Sequence, residues 1–172
     1  MRRLTLMRHA EAAAAASGQQ DRDRPLTEAG AADARKIGEC LARDRETPDQ
    51  LLCSDARRAR ETAEMLLAGC GVSGQPTVLP DLYNADPEGV LLLIGENADD
   101  NAEHVLVVGH NPTIGALAYG FAARTVPEGE QNPAVDYAPA TATQFAIANR
   151  EWSEVRPLTV QFNRVLRPAD CQ

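Results

Sequence analysis

HVLVVGHNPT, residues 104–113, carries the strongest strand signal in the chain. Its unbroken apolar run suits a strand covered on both faces by other elements. Asn111 and Pro112 follow at once and read as the N-cap and first residue of a helix that runs to about Ala123. A buried strand feeding directly into a helix is the repeating unit of an α/β sheet.

Working outward, the same alternation recurs. RLTLMR, residues 3–8, reads as an opening strand, followed by a polar and Ala-rich loop through residue 24. Thr27 is a plausible N-cap with Glu28 in the first turn. Ala34, Ile37, Gly38 and Leu41 then repeat at i, i+3, i+4 and i+7, until Pro48 breaks the helix. QLLC, residues 50–53, is a second buried strand. A helix over about 56–68 presents Ala59, Thr62, Ala63 and Leu66. GCGVSGQP is a turn cluster, and TVLP, residues 77–80, a third strand candidate. Asp86 and Pro87 open a helix carrying Leu91, Leu92 and Ile94. Residues 125–140 read as loop, and TQFAIA and VRPLTVQF as two closing strands, with a loose tail after Pro168. The pattern predicts an α/β fold: a three-layer α/β/α sandwich with a central, mostly parallel sheet, in a single domain over residues 1–172.

Bulk composition narrows the function. The chain has 172 residues, 44% of them hydrophobic, enough for a sizeable core. Its formal charge of −8 disfavours nucleic acid and anionic lipid as partners. A local Arg cluster can still outweigh that field and take an anionic substrate. Lys36 is the only Lys among the 17 basic residues, a bias ascribed first to a GC-rich genome and only then to phosphate recognition. Cys40, Cys53, Cys70 and Cys171 form no CxxC pair and match no zinc spacing. Cys40 and Cys53 read as core residues, Cys70 and Cys171 as partly exposed. A reduced, cytoplasmic setting follows as the simplest expectation. The N-terminal apolar run is too short for a signal peptide, and no stretch is long enough for a membrane span. No metal and no cofactor are expected, and a monomer is.

Chemistry enters through the strand ends. Ligands of α/β sheets bind outside the carboxyl ends of the strands. His9 ends the first strand and His110 the strongest one, whereas His104 begins that strand and should face away. Arg8 adjoins His9. Ser54 ends the second strand, and Arg57, Arg58 and Arg60 open the next helix. Two imidazoles and at least two guanidiniums therefore converge on one crevice. Arg forks suit phosphoryl oxygens, and a neutral imidazole can attack phosphorus. Taken singly, each element has a commoner explanation: a strand-end His is usually structural, and RRAR a solvated face.

LMRHAEA resembles the RHG signature of the histidine phosphatase superfamily, with Ala10 in place of Gly. SDARRARETAE is similar to the family's SPxxRAxxTA block, aligning Ser54, Arg58, Ala59, Thr62 and Ala63, with Asp55 where the family has Pro. VVGHNPTI and DRPLTEAG, residues 23–30, match in order and spacing, so the resemblance covers nearly the whole chain. The resemblance implies that His9 is phosphorylated and that Arg8, Arg58 and His110 form the phosphate pocket, with Ser54, Arg24 and Asn111 as further substrate contacts. The small size looks most like the SixA-type phosphohistidine phosphatases, which implies a phosphorylated protein as partner. Asp81 lies near where ester-cleaving relatives carry a general acid. That leaves a small-molecule phosphomonoesterase, with a small phosphate-containing substrate, as an alternative. A non-catalytic phosphate- or phosphoprotein-binding module is a further one.

Overall fold

The computed structural model describes residues 1–127 and 129–171. Six strands form one sheet: β1 (Arg2–Arg8), β2 (Gln50–Cys53), β3 (Thr77–Val78), β4 (His104–Gly109), β5 (Ala142–Ile147) and β6 (Val160–Leu166). Their order is β3-β2-β4-β1-β5-β6. The first four run parallel, with Arg8 opposite Gly109 in the β1–β4 register. β5 and β6 are antiparallel additions at one edge. The helices are α1 (Glu28–Arg43), α2 (Arg57–Cys70), α3 (Pro87–Asn97) and α4 (Thr113–Ala122).

The period-2 alternation of β4 builds both halves of the core. Val105 and Val107 join Leu4, Leu6, Val90, Ile94, Leu117, Phe121 and Trp152, the face covered by α3 and α4. Leu106 and Val108 join Met7, Ile37, Leu41, Ala63 and Leu66 beneath α1 and α2. All four β4 residues are fully buried, as the continuous apolar run requires. Together the two clusters make the expected three-layer α/β/α sandwich. α1 and α2 approach closely because Gly38 and Gly69 face the opposite helix. A Cβ at Gly38 would lie 2.1 Å from Leu66 O, and one at Gly69 2.1 Å from Arg35 O.

Local chemistry sets the boundaries. Thr27 Oγ1 accepts from Gly30 N–H at 2.9 Å and caps α1. Asp86 Oδ1 accepts from Gly89 N–H at 2.7 Å and caps α3. Several expectations need correction. Pro112, not Asn111, is the N-cap of α4, after a cis Asn111–Pro112 peptide. β6 starts at Val160 because Pro157 has no N–H for a ladder and lies in a 3-10 turn. On α3 the sequence leaves the buried face open: Val90 and Ile94 fill the core and Leu92 is 62% exposed. The tail past Pro168 forms a 3-10 turn and buries Cys171, and Cys70 is buried with its thiol toward Gly38 O. Among the described residues no helix is long and apolar enough to cross a membrane.

Candidate active site

The crossed hydrogen bonds at the carboxyl end of the sheet bring the pocket together. His9 N–H donates to Gly109 O, and Arg8 N–H to Thr141 O, both at 3.0 Å. These bonds carry the β1 ladder one residue past Arg8, so His9 leaves the sheet beside His110. The two imidazole centroids lie 5.2 Å apart. Thr62 clamps the turn that follows. Its hydroxyl accepts from Ala10 N–H at 3.0 Å and donates to Arg58 O at 2.6 Å, tying the β1 terminus to the first turn of α2.

That clamp presents Arg58 to His9. Arg58 is only 7% exposed, and its Nε–H donates to His9 Nε2 at 3.2 Å. On the other side of the ring, His9 Nδ1 lies 2.7 Å from Ala10 O. A carbonyl oxygen only accepts, so the proton sits on Nδ1 and the lone pair of Nε2 is free to accept. Burial, then the positive charges of Arg58, Arg8 and Arg24, hold the His9 imidazole down to about 4, against the opposing pull of the Ala10 bond. The ring is neutral at physiological pH, which is the state of a nucleophile.

His110 is organised from behind. Ser54 is fully buried, and its Oγ accepts from Ala56 N–H at 3.2 Å. Its Oγ lies 2.8 Å from His110 Nε2. With the Ser54 hydroxyl as donor, the ring proton of His110 sits on Nδ1. Burial, together with the charges of His9 and Arg58, holds His110 down to about 3. His110 Nδ1 and Arg8 Nε are buried donors with no hydrogen-bond partner among the described residues. Leaving such a donor unpaired costs on the order of 1–3 kcal/mol. Arg8 Nη1 is anchored to Tyr137 O at 2.9 Å.

The remaining expected residues separate into two groups. Arg24 reaches the pocket, donating through Nε to Ala13 O at 2.8 Å and through Nη1 to Asp21 Oδ1 at 2.9 Å. The Asn111 amide is committed elsewhere, to Tyr137 O at 2.9 Å and Gly115 N–H at 3.2 Å. Asn111 thus ties the residue-137 segment to α4. Ser54 is a support for His110 with no exposed surface of its own. Asp81 is exposed in a 3-10 turn over Pro80–Tyr83 and has no hydrogen bond among the described residues. His104 lies at the opposite end of β4, as expected.

Three residues entered the site without a signal in the sequence. The Asp21 carboxylate accepts from Arg58 Nη2 at 2.8 Å, from Arg24 Nη1 at 2.9 Å and from Tyr83 OH at 2.6 Å. Its main-chain oxygen takes Arg58 Nη1 at 2.6 Å. Tyr83 packs edge-on against His110, with centroids 5.3 Å apart. Arg22 stacks over the Tyr83 ring at 4.2 Å and pairs with Asp55 at 2.9 Å. Asp21 and Arg22 sit in one short 3-10 turn and Tyr83 in another, neither with a hydrophobic period, so only their convergence marks them. Among the described residues no group of three His, Cys, Asp or Glu side chains could hold a metal ion.

Known proteins share this fold. The family model described as histidine phosphatase superfamily (branch 1) matches residues 4–86, which include His9, Arg24 and Arg58. An uncharacterized protein of Mycobacterium tuberculosis is 40% identical over 112 residues, 65% of this chain and 67% of that protein. Two solved structures provisionally named phosphohistidine phosphatase SixA superpose closely. The one from Nakamurella multipartitia is 30% identical, with 97% of this chain and 96% of that chain covered at a TM-score of 0.80. The one from Agrobacterium tumefaciens is also 30% identical, with 97% and 99% covered at 0.76.

Proposed function

This chain belongs to the histidine phosphatase superfamily, and we propose that it hydrolyses phosphohistidine on proteins through a covalent intermediate on His9. The observation that carries the reading is the state of one ring: His9 is neutral, its proton is pinned on Nδ1 by Ala10 O, and its Nε2 lone pair faces Arg58.

In the first step Nε2 attacks phosphorus. A P–N bond forms to His9 as the P–N bond to the substrate imidazole breaks, and that imidazole leaves after taking a proton from solvent. Arg58 Nε–H turns from Nε2 to a phosphoryl oxygen. Arg8 Nε and the Nδ1–H of His110 supply two more donors, so the buried groups that lack partners gain them from the transferring group. In the second step water attacks phosphorus, releasing phosphate and restoring neutral His9.

The leaving group decides between amide-like and ester substrates. An alkoxide needs a protonated carboxyl beside it. Asp21, the carboxyl hydrogen-bonded into this pocket, is held well below the usual carboxylate range by Tyr83 and Arg24 and then by Arg58, so it is ionised and has no proton to give. Asp81, the other candidate, is exposed and outside the hydrogen-bonded cluster. Imidazole leaves with a conjugate-acid pKa near ~6.5 and needs far less help. These facts favour a phosphoramidate.

The test is a substrate panel with trapping. Purified protein should cleave a phosphohistidine peptide faster than small phosphate esters or sugar phosphates. Quenching should yield a label that survives base and is lost in acid. An acid-stable label would mean a serine or threonine ester and end the proposal. A strong fall in ester hydrolysis for Asp81→Asn would instead favour the phosphomonoesterase.

A further inference from the structure

We propose that Asp21 is a charge filter at the mouth of the pocket. Its fixed carboxylate disfavours substrates that carry a second anion beside the phosphoryl group and favours those whose leaving group is neutral or cationic, as imidazole is. The inference deepens the reading above and rests on it for the identity of the pocket.

The geometry leads here in three steps. First, Asp21 takes up donors that would otherwise meet an incoming anion. One carboxylate holds Arg58 Nη2, Arg24 Nη1 and Tyr83 OH, at 2.8, 2.9 and 2.6 Å. Anchoring Arg58 does not need that carboxylate, because the Asp21 main-chain oxygen and His9 Nε2 already fix Nη1 and Nε. Second, the charge projects outward. The Asp21 side chain is 51% exposed, while its Arg58 partner is 8% exposed. The carboxylate therefore stands one guanidinium width from His9 Nε2, on the solvent side of Arg58. Third, the cations that could attract a second anion are already paired. Arg22 is bonded to Asp55 and stacked on Tyr83, and Arg24 is bonded to Asp21. Arg8, the cation inside the pocket, pairs with no carboxylate among the described residues. The result is a deep cation behind a rim whose guanidiniums are already matched by carboxylates.

Coulomb repulsion sets the expected size. Repulsion between two like charges ~6 Å apart weakens binding about threefold at the dielectric of bulk water and about a hundredfold at an effective value of ~20, so about tenfold is expected at an exposed rim. That is enough to sort substrates and small enough to leave the phosphoryl site usable.

Phenyl phosphate and 4-carboxyphenyl phosphate test this, because they differ by one carboxylate. In Asp21→Asn, kcat/KM for the carboxylated ester should rise about tenfold relative to phenyl phosphate. The difference should shrink in high salt, since an exposed charge is screened there. Asp21→Ser should shift the ratio in the same direction, which covers a failure of the Asn variant to fold. Tyr83→Phe keeps the charge and should leave the ratio in place. Binding of phenylphosphonate and 4-carboxyphenylphosphonate gives the same ratio without turnover. An unchanged ratio, or a parallel loss of both esters, overturns the filter and makes Asp21 a support for Arg58 only. A shifted ratio with an inert phosphohistidine peptide keeps the filter and removes the substrate reading.

Discussion

Strand β4 begins and ends on a histidine, and its two ends teach what makes an imidazole reactive. His104 at the amino end is 4% exposed, with Nε2 2.7 Å from Thr5 Oγ1. Burial and Arg3 hold it down to about 4, against the opposing fields of Glu46 and Asp49. His110 at the carboxyl end is held to about 3 by burial, His9 and Arg58. A depressed pKa is thus common to both and marks neither as functional. The company differs. Carboxylates surround the His104 end, where Asp49 Oδ2 accepts the His104 N–H at 2.8 Å and Glu46 pairs with Arg3 and Arg164. Guanidiniums and a second imidazole surround the other.

The sharpest break of this comparison is at the carboxyl end. His9→Ala should lose at least ~10⁴-fold in kcat on any cleaved substrate, since the nucleophile itself is gone. Full activity in that variant would remove the mechanism. Arg58→Ala should cost about 10²–10³-fold, the usual scale for one preorganised donor to a charged transition state. Ser54→Ala should cost less, because it frees the His110 tautomer without removing a donor. Its mark would be lower kcat with an unaltered fold by circular dichroism, and equal kcat would mean that Ser54 does not position His110.

The opposite end should answer in stability alone. His104→Asn should leave kcat unchanged and lower Tm, at about 2–4 °C per kcal/mol for a chain of this size. Loss of activity at unchanged Tm would break the division between the two ends. The smallest effect concerns pH. His9, His104 and His110 have folded values of about 4, 4 and 3, below the unfolded value of 6.5. The unfolded chain therefore binds more protons than the folded one between pH 6.5 and about 4. Stability from these rings is complete above pH 6.5 and falls as pH drops through that window. The slope should be shallower in His104→Asn. Ring resonances of all three histidines should not titrate between pH 8 and 5; a midpoint near 6.5 for His9 would contradict its neutral, desolvated state.

Local patterns reached the frame of the molecule and the residues nearest the sheet. The β4 run, the Thr27 and Asp86 caps and the heptad-like face of α1 are short-range signals, and each corresponds to an element. His9, Arg58 and His110 could be read because a strand end or a helix start determines where a side chain emerges. Leu92, Cys171 and the start of β6 escaped that logic. Whether an apolar residue on α3 meets a neighbour, or a tail docks on α1, depends on what the rest of the chain brings there.

By itself the amino-acid sequence determined the order of strands and helices, the buried stripe of each, and the presence of imidazoles and guanidiniums at the ends of the parallel strands. These follow from periodicities of a few residues. Tertiary structure alone decided that Asp21 meets Arg58 and Tyr83, that Ser54 stands behind His110 and that Asn111 holds a neighbouring segment instead of the pocket. Those contacts join residues 26 to 62 positions apart. No local preference specifies such contacts, because they exist only once both layers of helices have closed on the sheet.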